Sequence, residues 1–151
     1  MTDFTGVWSE DEVASFLQEV RIPIRIATRR SDDSLWPVTV WYRYRNGVFE
    51  SATQATADLV HILENDPVVG IDVSTNEAPY SGIRGTGTAV LSRDGGEEVL
   101  RDLVQRYLGG TDSSLARRLL SGDREEVLIR IDPDEIYSWD YTDRMKDVDT
   151  A

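Results

Sequence analysis

The spacing of apolar residues near the amino terminus predicts a helix followed by a strand. Ser9 and Glu12 have the spacing of a capping box, in which each side chain accepts a hydrogen bond from the backbone amide of the other residue. Apolar residues then recur along one helix face, namely at Val13, Phe16, Leu17 and Val20. Isoleucine occupies every second position from 22 to 26, which predicts a half-buried strand after the helix.

The most regular alternation in the chain lies between Val38 and Arg45, and it predicts a second strand. Asn46-Gly47 follows, and this dipeptide readily adopts the positive φ angles of a two-residue hairpin turn. Residues 48–52 are therefore expected to return antiparallel to the second strand. Apolar residues between 59 and 63 predict a short helix that ends at Asn65-Asp66-Pro67.

The remaining chain adds further strands and helices to this pattern. Strands are predicted at 68–73, 80–92, 127–131 and 136–140, and helices at 96–108 and 113–120. Gly85 and Gly87 in the longest of these strands indicate bending or close approach of backbones. Most strands are consecutive in sequence, without a regular strand-helix alternation, which favours an antiparallel β-barrel. We expect one domain over residues 1–145 and an acidic tail over 146–151.

Composition and charge exclude several classes of function. The 151 residues include 28 acidic and 16 basic ones, a net charge of −12, no cysteine and one histidine. Such an acidic chain repels nucleic acid and anionic lipid, so neither is an expected partner. Thiol catalysis is excluded, and no metal site is expected. The chain has neither an apolar run of roughly 20 residues nor the pattern of an export signal, so we expect a cytoplasmic protein.

The motifs that often carry catalysis are weak here. His61 lies in the short predicted helix with acidic residues three positions before and after it, so it is either a metal or acid-base site or a solvated surface residue. Acidic pairs such as Glu125-Glu126 are expected in solvated turns. Gly82-x-x-Gly85-x-Gly87 lies inside a predicted strand and does not open a helix, so it is not a dinucleotide-binding motif.

Two predicted strand faces combine arginine with hydroxyl or aromatic side chains. They consist of Thr39, Trp41 and Arg43 on one strand, and of Arg84, Thr86 and Thr88 on another. Side by side, the two faces would form a cationic surface with an aromatic wall, which suits an anionic ligand with a flat ring. Alternatively, Trp41 and Arg43 pack in a subunit interface. Both interpretations hold if the ligand binds at a dimer interface.

Several short segments follow one another in a familiar order. They are Trp41 to Gly47, Ala52-Thr53 before a helix that ends in Asn65-Asp66-Pro67-Val68-Val69, Pro79 to Gly85, Arg106 to Gly110, and Ser138-Trp139-Asp140-Tyr141 with Arg144-Met145. This series resembles the pyridoxamine 5′-phosphate oxidase-like family, whose members are flavin-binding split barrels. The resemblance covers nearly the whole chain, from about Val13 to Met145.

The resemblance implies a mainly β fold, a six-stranded antiparallel split barrel with helices around it. It also implies a homodimer that binds FMN, or the deazaflavin coenzyme F-420, in a groove at the dimer interface. Members of the family transfer hydride between the coenzyme and a small organic substrate, while others bind haem or have no assigned activity. The expected function is thus that of an FMN- or deazaflavin-binding oxidoreductase, with no catalytic side chain identified and the substrate left open.

The chain departs from the family at the residues that grip the cofactor phosphate. Relatives carry Ser-Arg-Lys between the threonine and an Asn-x-Pro or Asp-Pro stop, where this chain has Ala57, Asp58 and Leu59. Loss of two cations and a hydroxyl removes charge-assisted hydrogen bonds of roughly 1.5–3 kcal/mol each. The alternative function is therefore a dimeric split barrel without cofactor that acts as a binding or structural protein. A haem-binding member, with His61 as the axial ligand, is a third reading.

The resemblance also implies a set of cofactor-binding residues. Trp41 and the backbone of its strand would lie against the flavin ring, and the phosphate end would contact Arg43, Thr53, Gln54 and Arg84, with Thr56 at the start of the short helix. Trp139 and Arg144 lie where relatives close the site of the partner subunit. Their alternative roles are a tryptophan that plugs the barrel and a surface arginine.

Overall fold

The computed structural model describes residues 1–146, so the predicted tail, apart from Lys146, lies outside the described residues. The strands are β1 (Asp3–Gly6), β2 (Ile24–Arg29), β3 (Leu35–Val40), β4 (Arg43–Arg45), β5 (Val48–Gln54), β6 (Val68–Ser74), β7 (Ser81–Ser92) and β8 (Glu126–Asp140). The helices are α1 (Glu10–Glu19), α2 (Asp58–Asn65), α3 (Gly96–Leu108) and α4 (Ser114–Leu119).

The strands form one sheet in the order β3-β2-β6-β7-β8-β5-β4, and β1 pairs with β8 in parallel. All other pairs are antiparallel, as the sequence predicts. The part of the chain that is described contains eight strands, where the resemblance implies six. β1 has only four residues and no alternation that could reveal it, and the strand predicted from Val38 to Arg45 is split in two.

The split at Trp41 and Tyr42 is the point where the chain changes its partner strand. Val40 is the last residue that pairs with β2, and Arg43 is the first that pairs with β5. Between them, the fully buried Tyr42 donates a hydrogen bond from its hydroxyl to the carbonyl oxygen of Leu17, at 2.8 Å. The side-chain alternation that predicts one strand therefore continues through a bend that periodicity does not reveal.

The local signals at the turns and caps are confirmed. Ser9 and Glu12 form the predicted capping box of α1. Asn46 and Gly47 have φ angles of 55° and 77° and connect β4 to β5. A Cβ atom at Gly85 would lie 1.9 Å from the carbonyl oxygen of Glu135, so β7 and β8 approach too closely there for any side chain.

Two apolar clusters hold the helices against the sheet. The larger fills the barrel with inward-facing strand residues and covers its ends with Val13 and Leu17 of α1 and Leu59 and Leu63 of α2. The smaller lies outside the barrel, where Leu100 and Val104 of α3 and Ala116 of α4 pack together, with Trp41 and Ala52 against them. The fold thus places Trp41 between the sheet and two helices.

Within residues 1–146, no helix combines the length and the hydropathy that crossing a membrane requires.

Candidate functional site

A pocket of about 400 Å³ lies beside Trp41, between the sheet and helices α3 and α4. Its walls are Pro23, Thr39, Val40, Trp41, Ala52, Leu100, Leu115, Leu119 and Arg124. We call it the Trp41 pocket. Its walls are mostly apolar, and among the lining residues Arg124 alone carries a charge. Such a pocket suits a flat ring that bears an anionic substituent.

The indole of Trp41 is held in place by its neighbours. It stacks on the ring of Tyr107, with ring centroids 5.1 Å apart and planes 5° from parallel. The hydroxyl of Ser51 donates to the carbonyl oxygen of Trp41 at 2.7 Å. The hydroxyl of Tyr107 in turn donates to the carbonyl oxygen of Ile22 at 3.0 Å. Trp41 is therefore a rigid wall, preorganised for stacking.

The residues predicted for the phosphate end lie where β5 leads into α2. Thr53 and Gln54 pair with Val127 and Glu126 of β8, and the amide of Ala55 donates to the carbonyl oxygen of Glu125 at 2.9 Å. The amide of Ala57 then donates to the carbonyl oxygen of Gln54 at 3.0 Å, so the chain turns at Ala55 and Thr56 before α2 begins. Thr53 and Gln54 thus lie at the end of β5, Thr56 lies in the turn that follows, and Arg124 lies just before the start of β8.

The three positions that replace Ser-Arg-Lys do not fit a phosphate. Ala57 precedes α2 without a side-chain cap, and Asp58 places a carboxylate in the first turn. Leu59 is buried in the barrel core, so this position points away from solvent. An anion bound there would meet a negative charge and no cation from this segment.

Arg43 is buried and ion-paired. Its Nε lies 2.9 Å from Oε1 of Glu50, and its Nη1 contacts the carboxylate of Asp102 on α3. Glu50 is shared with Arg45 at 3.1 Å. The guanidinium of Arg43 therefore ties β4 to β5 and α3, and its charge is offset by two carboxylates. Its role in cofactor binding stays a prediction.

Arg84 and Trp139 lie together, at the other end of β8. The guanidinium of Arg84 lies 5.6 Å from the ring centroid of Tyr137 and 5.4 Å from that of Trp139. Trp139 contacts Tyr141 at 4.7 Å between centroids, and the guanidinium of Arg144 lies 4.6 Å from the Tyr141 ring. We call these residues the carboxyl-terminal cluster. The Nε1 of Trp139 is buried and has no hydrogen-bond acceptor among the described residues.

Beside this cluster, a groove of about 590 Å³ runs over the outer face of β2, β6, β7 and β8. Arg25, Asp72, Arg84 and Glu135 give it two positive and two negative side chains. Its other lining residues are Ala27, Pro37, Gly70, Ile71, Gly85, Thr86 and Tyr137. The groove is thus wide and charge-balanced, unlike the Trp41 pocket.

The predicted site residues therefore fall into two separate groups. Thr53 pairs with Val127 and Gly82 pairs with Trp139, and the two positions on β8 are roughly 40 Å apart along an extended strand. The strands of Arg43 and Arg84 do not lie side by side, because β5 and β8 separate β4 from β7. The sheet order depends on long-range pairing, which the local pattern does not contain.

His61 lies on the solvent side of α2, and its Nδ1 is 3.7 Å from Oε1 of Glu64. It lines a small pocket with Arg30, Trp36 and Asp58. Residues 1–146 contain no group of three His, Asp or Glu side chains that could hold a metal ion. The geometry gives His61 no second ligand, and an axial role toward haem stays a prediction.

Sequence reasoning missed Arg124 and Glu126. The expectation that Glu125-Glu126 forms a solvated turn is wrong for Glu126, whose side chain is 2% exposed. Burial raises the pKa of this carboxyl, although Arg124 opposes the shift. Alternation along β8 could have placed Glu126 on the face opposite Val127, but it could not show that the start of α3 covers that face.

No family model matches the sequence, and no curated protein matches it either. Solved structures do match. The conserved hypothetical protein Rv2991 from Mycobacterium tuberculosis is 23% identical, with a TM-score of 0.76 over 89% of this chain and 86% of that one. An F420 reductase is 18% identical, with a TM-score of 0.67 over 81% and 94%. A putative pyridoxamine 5′-phosphate oxidase from Listeria innocua is 14% identical, with a TM-score of 0.66 over 85% and 96%.

Other structures that match include an FAD-binding protein from Mycobacterium smegmatis and the heme storage protein HutZ from Vibrio cholerae. The chain therefore has the split-barrel fold of the pyridoxamine 5′-phosphate oxidase-like proteins, and the predicted fold class is confirmed. Proteins with this fold thus include an F420 reductase, an FAD-binding protein and a heme storage protein, so the fold by itself does not assign a reaction.

Proposed function

We propose that the protein is a homodimeric split-barrel oxidoreductase that holds FMN, or in its place a deazaflavin coenzyme, in the Trp41 pocket. The observation that carries this proposal is the pocket itself, which combines a fixed aromatic wall, apolar neighbours and one cation. The fold adds support, because similar structures include an F420 reductase and an FAD-binding protein.

The residues of the pocket would hold the coenzyme ring by stacking and apolar contact. Trp41 would lie against the ring, with Val40, Ala52 and Leu115 as the other walls. Bound there, the coenzyme would supply hydride transfer to or from a small organic substrate. The chain would supply position, exclusion of water and the electrostatic environment of the ring.

A second copy of the chain would complete the site. Trp41, Thr53, Gln54 and Thr56, with Arg43 behind them, belong to one end of the sheet, while Arg84, Trp139 and Arg144 belong to the other. One chain cannot bring both groups to one ligand, because they are separated along β8. In a twofold dimer a residue from one group can contact a residue from the other group on the second copy, and the same contact then forms twice.

The alternative is a dimeric split barrel that binds no coenzyme and acts as a binding or structural module. Leu59 favours it, because the position that carries a lysine in relatives is part of the core here. The ion pairs of Arg43 also favour this alternative. They engage a second cation at this end of the sheet with protein carboxylates, and a phosphate would have to compete with them.

The visible absorption spectrum distinguishes the two functions. Protein purified without added cofactor is scanned, and then titrated with FMN and with the deazaflavin coenzyme at high salt, which screens the repulsion between a chain of charge −12 and an anionic ligand. We expect a bound flavin or deazaflavin band and saturable binding. A colourless protein that binds neither coenzyme would contradict the proposal and favour the alternative. Light scattering checks the dimer, because a mass of 17.0 kDa would contradict a site shared between copies.

Substitution of Trp41 tests the position of the ring. Trp41→Leu removes the stacking surface and should weaken FMN binding by about tenfold. Trp36→Leu is the matched control, because Trp36 is exposed on β3 and packs against Arg30, away from the pocket. Equal affinities of the two variants, measured by flavin fluorescence, would show that the ring does not lie on Trp41.

A further inference from the structure

The orientation of Arg124 leaves part of its guanidinium free to bind a ligand. Its Nε lies 2.8 Å from Oε1 of Glu126, and its side chain is 23% exposed. No hydrogen bond from its terminal nitrogens reaches another of residues 1–146. Because Arg124 also lines the Trp41 pocket, these donors are available to a ligand bound there.

Glu126 is an unusual partner for this arginine, because its buried carboxylate has the ion pair with Arg124 but accepts no hydrogen bond within the described chain. The start of α3 covers it, and a Cβ at Gly96 would lie 2.8 Å from the carbonyl oxygen of Glu126. Neither carboxylate oxygen accepts a hydrogen bond within the described chain, and Arg124 and Glu97 are the charged groups that act on it. A buried acceptor without donors destabilises a fold, so stability does not explain this pair.

Arg124 also lies where the sequence lacks a cation. Gln54 pairs with Glu126, and the amide of Ala55 bonds to the carbonyl oxygen of Glu125, so Arg124 directly precedes the residues that face this end of β5. The next residues of that segment are Ala57, Asp58 and Leu59, which replace Ser-Arg-Lys. A cation is thus present just before the strand that pairs with the end of β5, while the segment between β5 and α2 has none.

We propose that Arg124 binds the phosphate of the coenzyme in the Trp41 pocket, and that Glu126 is the positioning residue that turns the guanidinium toward it. This inference rests on the proposed function and assigns its phosphate-binding residue. The carboxylate of Glu126 also competes with the phosphate for Arg124. The affinity for phosphate therefore depends on two opposing effects. Arg124 attracts the phosphate, while Glu126 positions Arg124 but also competes for its charge.

The experiment compares FMN with riboflavin, which has the same ring and no phosphate. The ratio of their dissociation constants is measured for the wild-type protein, Arg124→Gln and Glu126→Gln. Arg124→Gln should lower the preference for FMN at least tenfold and leave riboflavin binding unchanged. Glu126→Gln keeps the size of the side chain and removes the competing charge, so it should raise the preference. A purely structural role of Glu126 would change both ligands alike.

Two further variants keep the comparison interpretable. Arg117→Gln makes the same charge change on the exposed side of α4 and should leave the ratio as in the wild type. The double variant Arg124→Gln/Glu126→Gln removes both charges, so it avoids an unpaired buried carboxylate if the single variant does not fold. It should also lack the preference for FMN.

The outcomes separate this inference from the function on which it rests. If the wild type prefers FMN and the preference is lost without Arg124, both stand. If FMN binds and the preference survives in both Arg124 variants, the inference is overturned and the proposed function remains. If neither FMN, riboflavin nor the deazaflavin coenzyme binds the wild type, both are overturned.

Discussion

Replacing Arg106 with methionine should destabilise the protein, because this arginine of α3 caps a helix that lacks its own basic residues. α1 has no basic residue in its last turn. The guanidinium of Arg106 donates to the carbonyl oxygens of Leu17 at 2.9 Å and Gln18 at 3.0 Å, and also to that of Val20. It lies 5.1 Å from the ring centroid of Tyr42 as well. Arg106 and Tyr107 therefore join α1 and α3 to the bend at Trp41 and Tyr42.

The magnitude follows from these contacts. A hydrogen bond from a charged donor contributes about 1.5–3 kcal/mol, and a cation at a helix carboxyl terminus contributes about 0.3–1 kcal/mol. The three bonds share one side chain and are not additive, and Leu17 retains the hydrogen bond from Tyr42. We therefore expect a loss of about 2–4 kcal/mol in the free energy of unfolding, which lowers the melting temperature by roughly 5–15 °C.

Urea denaturation followed by tryptophan fluorescence measures this change, with the slope of the transition checked for constancy. Arg101→Met is the matched control, because Arg101 is exposed on the same helix and forms no ion pair within residues 1–146. It should change the stability by less than about 0.5 kcal/mol. Equal effects of the two substitutions would refute the capping role of Arg106.

Two further predictions concern the sheet and a buried phenol. Gly85→Ala places a Cβ 1.9 Å from the carbonyl oxygen of Glu135, so it should destabilise by at least about 3 kcal/mol or prevent folding, whereas Gly110→Ala, with open space around it, should not. Denaturation curves of the two variants check this, and similar stabilities would contradict the close approach of β7 and β8. Burial raises the pKa of Tyr42 above its ordinary value. Because its pKa is raised in the folded state, the neutral form is favoured there, and stability should fall as pH rises above about 10. Ultraviolet titration of the six tyrosines should then show at least one that ionises only on alkaline unfolding, and simple titration of all six near pH 10 would refute it.

The sequence predicts well the elements that depend on neighbouring residues. The capping box starts α1, Asn46-Gly47 closes the β4-β5 hairpin, and the glycines of β7 mark the close approach to β8. Each signal acts over a few residues, through side-chain to backbone hydrogen bonds or through allowed φ angles, so the local sequence contains the information. The ordered series of motifs likewise predicted the split-barrel fold, which the similar structures confirm.

The tertiary structure decided which side chains meet. Periodicity marks the faces of a strand but not which strand or helix lies on them. Arg43 therefore proved to pair with Glu50 and Asp102, and Glu126 to lie beneath α3 with Arg124 turned to the pocket. The sheet order also placed β5 and β8 between β4, which carries Arg43, and β7, which carries Arg84. Such contacts join residues far apart in sequence, and they form only when apolar burial brings the elements together, so no local pattern contains them.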